Sequence, residues 1–295
     1  MTPKKQSSKS PAGTLRDPAA VLAASTFSAG LQLLPSHLGR DARALYLLLR
    51  TIDDLVDERD PEARSRVRAM ERWTRGAAPE SPETRTLESL SERYEISPLA
   101  VGEFCEGMRH DLNHARIETE ADLERYCHCV AGTVGIMLAG LLGTTSPEGV
   151  ERMAKLGAAM QRTNILRDID EDLAHGRLYI PRTAIERFGF PAPRKREALL
   201  RDQIRRADAL YEEGMGAIPL LRNGRHAMGL STVLYREILR QIERDGFGQQ
   251  QGRAIVPRWR KRILIAEYSR PHSAQPSAAD HARPHEGARL SGHLD

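Results

Sequence analysis

Apolar residues recur at three- and four-residue intervals along most of this chain, the period of a helix with one buried face. The pattern predicts helices near 17–34, 39–58, 60–78, 82–93, 97–112, 119–143, 147–174, 181–186, 195–217, 222–246 and 253–268. No alternating strand pattern and no repeat of fixed period interrupts them, so the fold class is all-α. Ser146-Pro147-Glu148 reads as an N-cap followed by Pro at the first helical position. Gly176-Arg177-Leu178-Tyr179-Ile180-Pro181 stops one helix at a Gly and starts the next after a Pro. Residues 1–16 and 271–295 carry Pro, Ser, Lys, His and Arg without apolar periodicity. They read as disordered flanks of one helical domain over 17–270.

Composition narrows the class. The chain has 295 residues, 40% of them hydrophobic, enough for a sizeable core. Lys and Arg number 44 against 40 Asp and Glu, a balance too even for nucleic-acid binding. It suits a mixed-charge surface, or a weak attraction to anionic substrates or an anionic membrane surface. The longest apolar run, around Val134–Leu142, is broken by glycine and falls short of the roughly 18 residues that span a bilayer. The first residues lack the apolar stretch of a secretion signal, so a cytoplasmic location is expected. The three cysteines imply no disulfide framework. Cys127-His128-Cys129 is not a metal site, because residues two apart on a helix point to different sides.

Two acidic stripes carry the candidate chemistry. In Tyr46-Leu47-Leu48-Leu49-Arg50-Thr51-Ile52-Asp53-Asp54-Leu55-Val56-Asp57, the residues Tyr46, Arg50, Asp53 and Asp57 share one helix face. Asp53 and Asp57 stand about 6 Å apart along the axis. In the segment from Gln161 to Asp172, the residues Gln161, Asn164, Asp168 and Asp172 form a second face, with Glu171 at its edge. Asp54 and Asp170 lie off the stripes, Asp54 towards solvent, so their replacement by Asn is expected to be mild. Stacked like charges weaken a helix by a few tenths of a kcal/mol. Hard oxygen ligands at this spacing suit Mg²⁺, which keeps waters and bridges carboxylates to phosphates. Facing stripes would clamp a diphosphate, with Arg50, Arg167, Arg177 and basic residues from the C-terminal part neutralising the remaining charge. Small residues at 132, 135, 139 and 143 fall on one face of their helix. They serve either close helix packing or an apolar channel for a prenyl tail.

These residues together resemble the squalene/phytoene synthase family over roughly 20–268. The matching pieces are Thr26-Phe27, Tyr46-x-x-x-Arg50-x-x-Asp53-Asp54-x-x-Asp57 and Val130-Ala131-Gly132-Thr133-Val134-Gly135. Further pieces are Gln161-x-x-Asn164-Ile165-Leu166-Arg167-Asp168-x-x-Glu171-Asp172, Gly176-Arg177-x-Tyr179-x-Pro181 and Gly216-Ala217-Ile218-Pro219-Leu220-Leu221.

The resemblance implies a single helical domain of the isoprenoid synthase type with a central cavity. It implies that Asp53, Asp57, Asn164, Asp168 and Asp172 arrange Mg²⁺, or Mn²⁺ in its place, around the diphosphates of two prenyl substrates. Thr26, Tyr46, Arg50, Gln161, Arg167, Arg177 and Tyr235 would line the substrate. The catalytic set would comprise Asp53, Asp57, Asp168, Asp172, Tyr46 and Tyr179. Phe27, Tyr46, Tyr126 or Tyr179 would offer π faces to the carbocations. Members ionise one prenyl diphosphate, join it to the second through a cyclopropylcarbinyl diphosphate, and rearrange. The phytoene branch, ending by proton loss without NADPH, is the nearer in Gly-Thr-Val-Gly and Gly-Ala-Ile-Pro-Leu-Leu. Squalene, presqualene-diphosphate or diapophytoene formation from farnesyl diphosphate is the alternative, followed by a terpene cyclase and a non-catalytic relative. Product release implies peripheral contact with a membrane. Two departures stand out. Ala24-Ser25-Thr26-Phe27 lacks a cation that relatives carry, and His128 stands where they commonly have Tyr. His128 is a candidate base if it faces the cavity.

Overall fold

The computed structural model describes residues 30–270. The expectations for 1–16, for 271–295, for Thr26 and Phe27, and for most of the helix over 17–34 lie outside the described residues.

The first complete helix, α1, runs Ser36–Asp57 and buries Leu38, Ala42, Leu45, Leu49, Ile52 and Val56 on one face. Each such Leu, Ile or Val side chain stabilises the fold by roughly 1.5–3 kcal/mol. Helix α2 (Ala63–Trp73) and α3 (Pro82–Ser91) follow. Ser81 and Thr84 cap α3 reciprocally, each side chain bonding the other's backbone N–H. Helix α4 (Pro98–Leu112) buries Val101, Phe104, Cys105 and Met108. Helix α5 (Glu120–Cys127), capped by Thr119, leads through a π-helical turn, His128–Gly132, into α6 (Thr133–Leu142). The single helix expected over 119–143 therefore carries a π turn, a feature that recurs at functional sites. Its 23-residue run, Glu120–Leu142, is long and apolar enough to cross a membrane, contrary to the sequence reading. Its apolar window is 61% buried within the protein, as a core helix would be.

Helix α7 (Pro147–Arg167) and α8 (Ile169–Ala174) divide the single helix expected over 147–174 at Asp168, where φ is −103° and ψ 10°. The amides of Asp168 and Asp172 still reach the carbonyls of Asn164 and Asp168, so the acidic face keeps its register across the break. Ser146 takes the N-cap position of α7, but its hydroxyl caps no amide. Helix α9 (Arg182–Phe188), α10 (Glu197–Met215), α11 (Arg225–Arg244) and α12 (Arg258–Tyr268) complete the order. The chain divides at Val256 into two units, and the second, among the described residues, consists of α12 and its flanks. Among the described residues no strand forms, so the all-α class holds.

Helix α7 is the spine of the first unit. The π turn and α6 press on it backbone to backbone. A Cβ on Gly135 would stand 2.2 Å from the Met153 carbonyl, and one on Gly157 2.1 Å from that of Ala131. Close packing thus accounts for the glycines at this contact. Arg162 of α7 is fully buried and donates to Glu120 on α5 and Gln203 on α10, which locks three helices together.

Candidate active site

The helices enclose a cavity of about 600 Å³, within the usual range of ligand pockets of roughly 300–1,000 Å³. Its wall changes character along each helix. On α1 the lining passes from Leu49 to Asp53 and Asp57, on α4 from Phe104 to Asp111. On α7 it passes from Met153, Leu156 and Met160 to Asn164 and on to Asp168. The carboxylates on α1 and α4 and Asn164 on α7 therefore lie towards the C-terminal ends of their helices, with Asp168 directly after α7. The partial negative charge of a helix C-terminus favours cations there.

Both stripes face this one cavity. Tyr46, Arg50, Asp53 and Asp57 line it from α1, and Gln161, Asn164, Arg167, Asp168 and Asp172 from α7 and α8. Arg177 donates its backbone N–H to the Asp172 carbonyl at 2.8 Å and reaches across to the first stripe with its side chain, Nη1 2.5 Å from Asp57 Oδ1 and Nη2 2.8 Å from the Asp57 carbonyl. Tyr179 and Tyr235 also line the wall. Every expected site residue within the described region is thus brought together; Thr26 lies outside it.

The arginines are held by the acids. Arg50 donates to Asp53 Oδ2 at 2.8 Å and meets Asp54 Oδ1 at 2.7 Å. Asp54 is therefore not a solvent-facing bystander: its side chain is 19% exposed, because i to i+4 spacing puts it under the same guanidinium. Arg167 grips Asp168 with two bonds, at 2.8 and 2.6 Å. Asp170 is likewise not inert: it forms a buried two-bond pair with Arg196.

Negative charge is concentrated here. Burial, then the neighbouring Asp57, lifts the Asp53 carboxyl to about 7, despite Arg50. Burial, then Asp168, lifts Asp172 to about 7, with Arg177 opposing. The Oδ1 of Asn164 is buried without a partner, a hard oxygen left available. Among the described residues no three His, Cys, Asp or Glu side chains converge as a ready-made metal site. Burial pushes the thiols of Cys127 and Cys129 up to about 12 and about 11.

Asp111 and Arg253 are among the lining residues that the sequence reading did not single out. Asp111 accepts from Tyr126 at 2.9 Å and Tyr179 at 3.1 Å, and these rings stack at 5.0 Å. Its signal was present: Asp111 lies seven residues after buried Phe104 and three after buried Met108, a carboxylate on an apolar face. Arg253 sets Nε 3.0 Å from Asp168 Oδ1, and no local pattern marks it out among the C-terminal cations. His128 does not line the cavity; its Nε2 pairs with Glu103 Oε2 at 3.2 Å. Its candidacy as a base is withdrawn on that geometry.

A family model for squalene/phytoene synthase matches residues 22–260. A phytoene synthase of Thermus thermophilus is 36% identical over 256 residues, covering 81% of this chain and 86% of its own. A 15-cis-phytoene synthase of Synechococcus elongatus is 32% identical over 266 residues, covering 81% and 86%. The crystal structure of a dehydrosqualene synthase superposes with a TM-score of 0.77 at 30% identity, covering 85% of this chain and 93% of that one. A squalene synthase from Alicyclobacillus acidocaldarius, at 24% identity and a TM-score of 0.66, covers 79% and 95% and shares the fold.

Proposed function

The chain belongs to the squalene/phytoene synthase family, and from that premise we propose that it joins two geranylgeranyl diphosphates through a cyclopropylcarbinyl diphosphate to phytoene, in carotenoid biosynthesis. The observation that carries this reading is one cavity that is acidic and arginine-rich at its helix C-termini and apolar along the preceding turns. A prenyl diphosphate has the same two halves.

Diphosphate leaves only when its charge is neutralised. Asp53, Asp57, Asn164, Asp168 and Asp172 would hold Mg²⁺, or Mn²⁺, which supplies that neutralisation as a Lewis acid. The raised carboxyls of Asp53 and Asp172 and the unpartnered Asn164 Oδ1 fit a bound cation. Mg²⁺ would borrow phosphate and water oxygens to complete its shell. Arg50, Arg167 and Arg177 would trade part of their bonding to the aspartates for phosphate oxygens. The wall of Leu49, Phe104, Val134, Leu138 and Met160 excludes water, which would otherwise quench the allylic cation. Tyr46 and Phe104 belong to the same lining, and an aromatic face turned to the cation would stabilise it. The reaction ends by proton loss to the released diphosphate, so NADPH is not required.

We place the enzyme in the cytoplasm, in peripheral contact with a membrane that takes up the hydrocarbon. Helix α12 exposes Trp259 and Ile263, each one position after a cation, Arg258 and Arg262, a pattern that suits an anionic bilayer surface. The deciding experiment incubates the protein with geranylgeranyl or farnesyl diphosphate and Mg²⁺, with and without NADPH. A forty-carbon product made without NADPH is expected. A product that appears only with NADPH and is saturated at its central bond would assign the squalene branch instead.

A further inference from the structure

The segment between α11 and α12 crosses the rim of the site without regular structure. It is rich in glycine, and Gly246, Gly248 and Gly252 all have positive φ. Such a stretch is entropically costly to hold in one conformation. Here a buried pair of side chains supplies three of its anchors, beside the Arg201 guanidinium 4.0 Å from the Phe247 ring centre and the Arg194 N–H bonded to the Gly248 carbonyl at 3.4 Å. Asp170, at the start of α8, and Arg196, just before α10, are 7% and 3% exposed and share two bonds of 2.7 Å. The remaining donors of Arg196 reach the carbonyls of Gly248 at 3.2 Å, Gln250 at 3.3 Å and Pro191 at 3.4 Å. Asp170 Oδ2 also accepts the N–H of Gly252 at 2.7 Å. Gly248 is required for this approach, since a Cβ there would stand 2.2 Å from Arg196 Nε. The residue after the last anchor is Arg253, whose Nε lies 3.0 Å from Asp168 Oδ1.

A buried ion pair is poor evidence of stabilisation, because desolvating two charges offsets most of their attraction. Its placement says more. One end is two residues from Asp168, and the other grips the segment that delivers Arg253 to the same carboxylate. We propose that Asp170 and Arg196 are positioning residues: they pin Gly248–Gly252 so that Arg253 is held against Asp168 at the rim of the cavity. The inference rests on the proposed function for its substrate, a diphosphate ester, which Arg253 would meet as a preplaced cation.

The test uses the full chain. Replacing Asp170 alone strands a buried arginine, so the primary variant is D170N/R196Q, which removes both charges. R196K is the second variant; it keeps the charge but loses the planar fork that spans several carbonyls. The first readout is amide hydrogen exchange. Exchange should rise within 246–253 and stay unchanged on α1 and α7, in both variants. The second is binding of inorganic diphosphate with Mg²⁺, by calorimetry. Its Kd should rise about tenfold in D170N/R196Q, the scale of one lost hydrogen bond to a charged group. R253A should lose a similar factor, and adding R253A to D170N/R196Q should cost nothing further. Unchanged exchange within 246–253 in either variant, or losses that multiply in the triple variant, would overturn the proposal. The exchange readout needs no substrate. A wild-type protein that makes no prenyl product would therefore remove the proposed function and leave the pinning of the segment to stand or fall separately.

Discussion

Replacing Asp53 by Asn should stabilise the metal-free protein while abolishing its turnover. The carboxyl moves from an ordinary 3.8 to about 7, chiefly through burial and then Asp57. Taken in full, that makes the ionised form unfavourable by about 4 kcal/mol at neutral to alkaline pH. The side chain is 35% exposed, so water screens much of this and about 1–2 kcal/mol should remain. The sign follows from proton counts. Between about pH 4 and pH 7 the folded chain holds a proton that the unfolded chain has released, so stability falls as pH rises through that window. Asn keeps the volume and removes the charge, and Arg50 retains Asp54 as a partner. Melting in a chelator at about pH 8 should thus rise by roughly 2–6 °C in D53N, with a much smaller gain at about pH 5. Mg²⁺ should raise the wild-type melting temperature more than that of the variant, narrowing the gap. A variant that melts lower at about pH 8, or gains equally at both pH values, would refute the reading of a charge-crowded site awaiting a cation.

Asp168→Asn should also abolish turnover, since it removes an acid gripped by Arg167 and met by Arg253; product assay with Mg²⁺ checks this, and near-normal activity would exclude its role. Gly135→Ala should destabilise the protein by about 1–3 kcal/mol, because the new methyl meets the Met153 carbonyl rather than a flexible side chain; urea unfolding measures it. A chain trimmed to 17–270 should retain activity, since the family match spans 22–260; loss of product by a folded trimmed protein would contradict this.

Helical periodicity is a local property, and so the elements, the two acidic faces and even the register of Asp168 with Asp172 were legible in the sequence. Neighbours three or four positions apart share a face whatever the rest of the chain does. The same rule, applied only within the stripe, misplaced Asp54: it pointed the carboxylate at solvent, although its i−4 neighbour is Arg50. The π turn at His128–Gly132 was not legible in the local periodicity; the backbone of α7 packs closely against it at Gly157. His128 pairs with Glu103 and does not line the cavity.

What the sequence determined by itself was which groups each helix could offer. Which offers met was decided by tertiary structure. Arg177 finds Asp57 from 120 positions away, Asp170 finds the Gly252 amide from 82, and Arg196 finds Asp170 from 26. No periodicity encodes such separations. They arise because burying the apolar faces of α1, α4 and α7 brings their C-terminal ends to one cavity, where the acids they carry are crowded together. The lifted carboxyls of Asp53 and Asp172 are a product of that crowding. On an isolated helix the same aspartates would be solvated and acidic, and the chemistry would be absent.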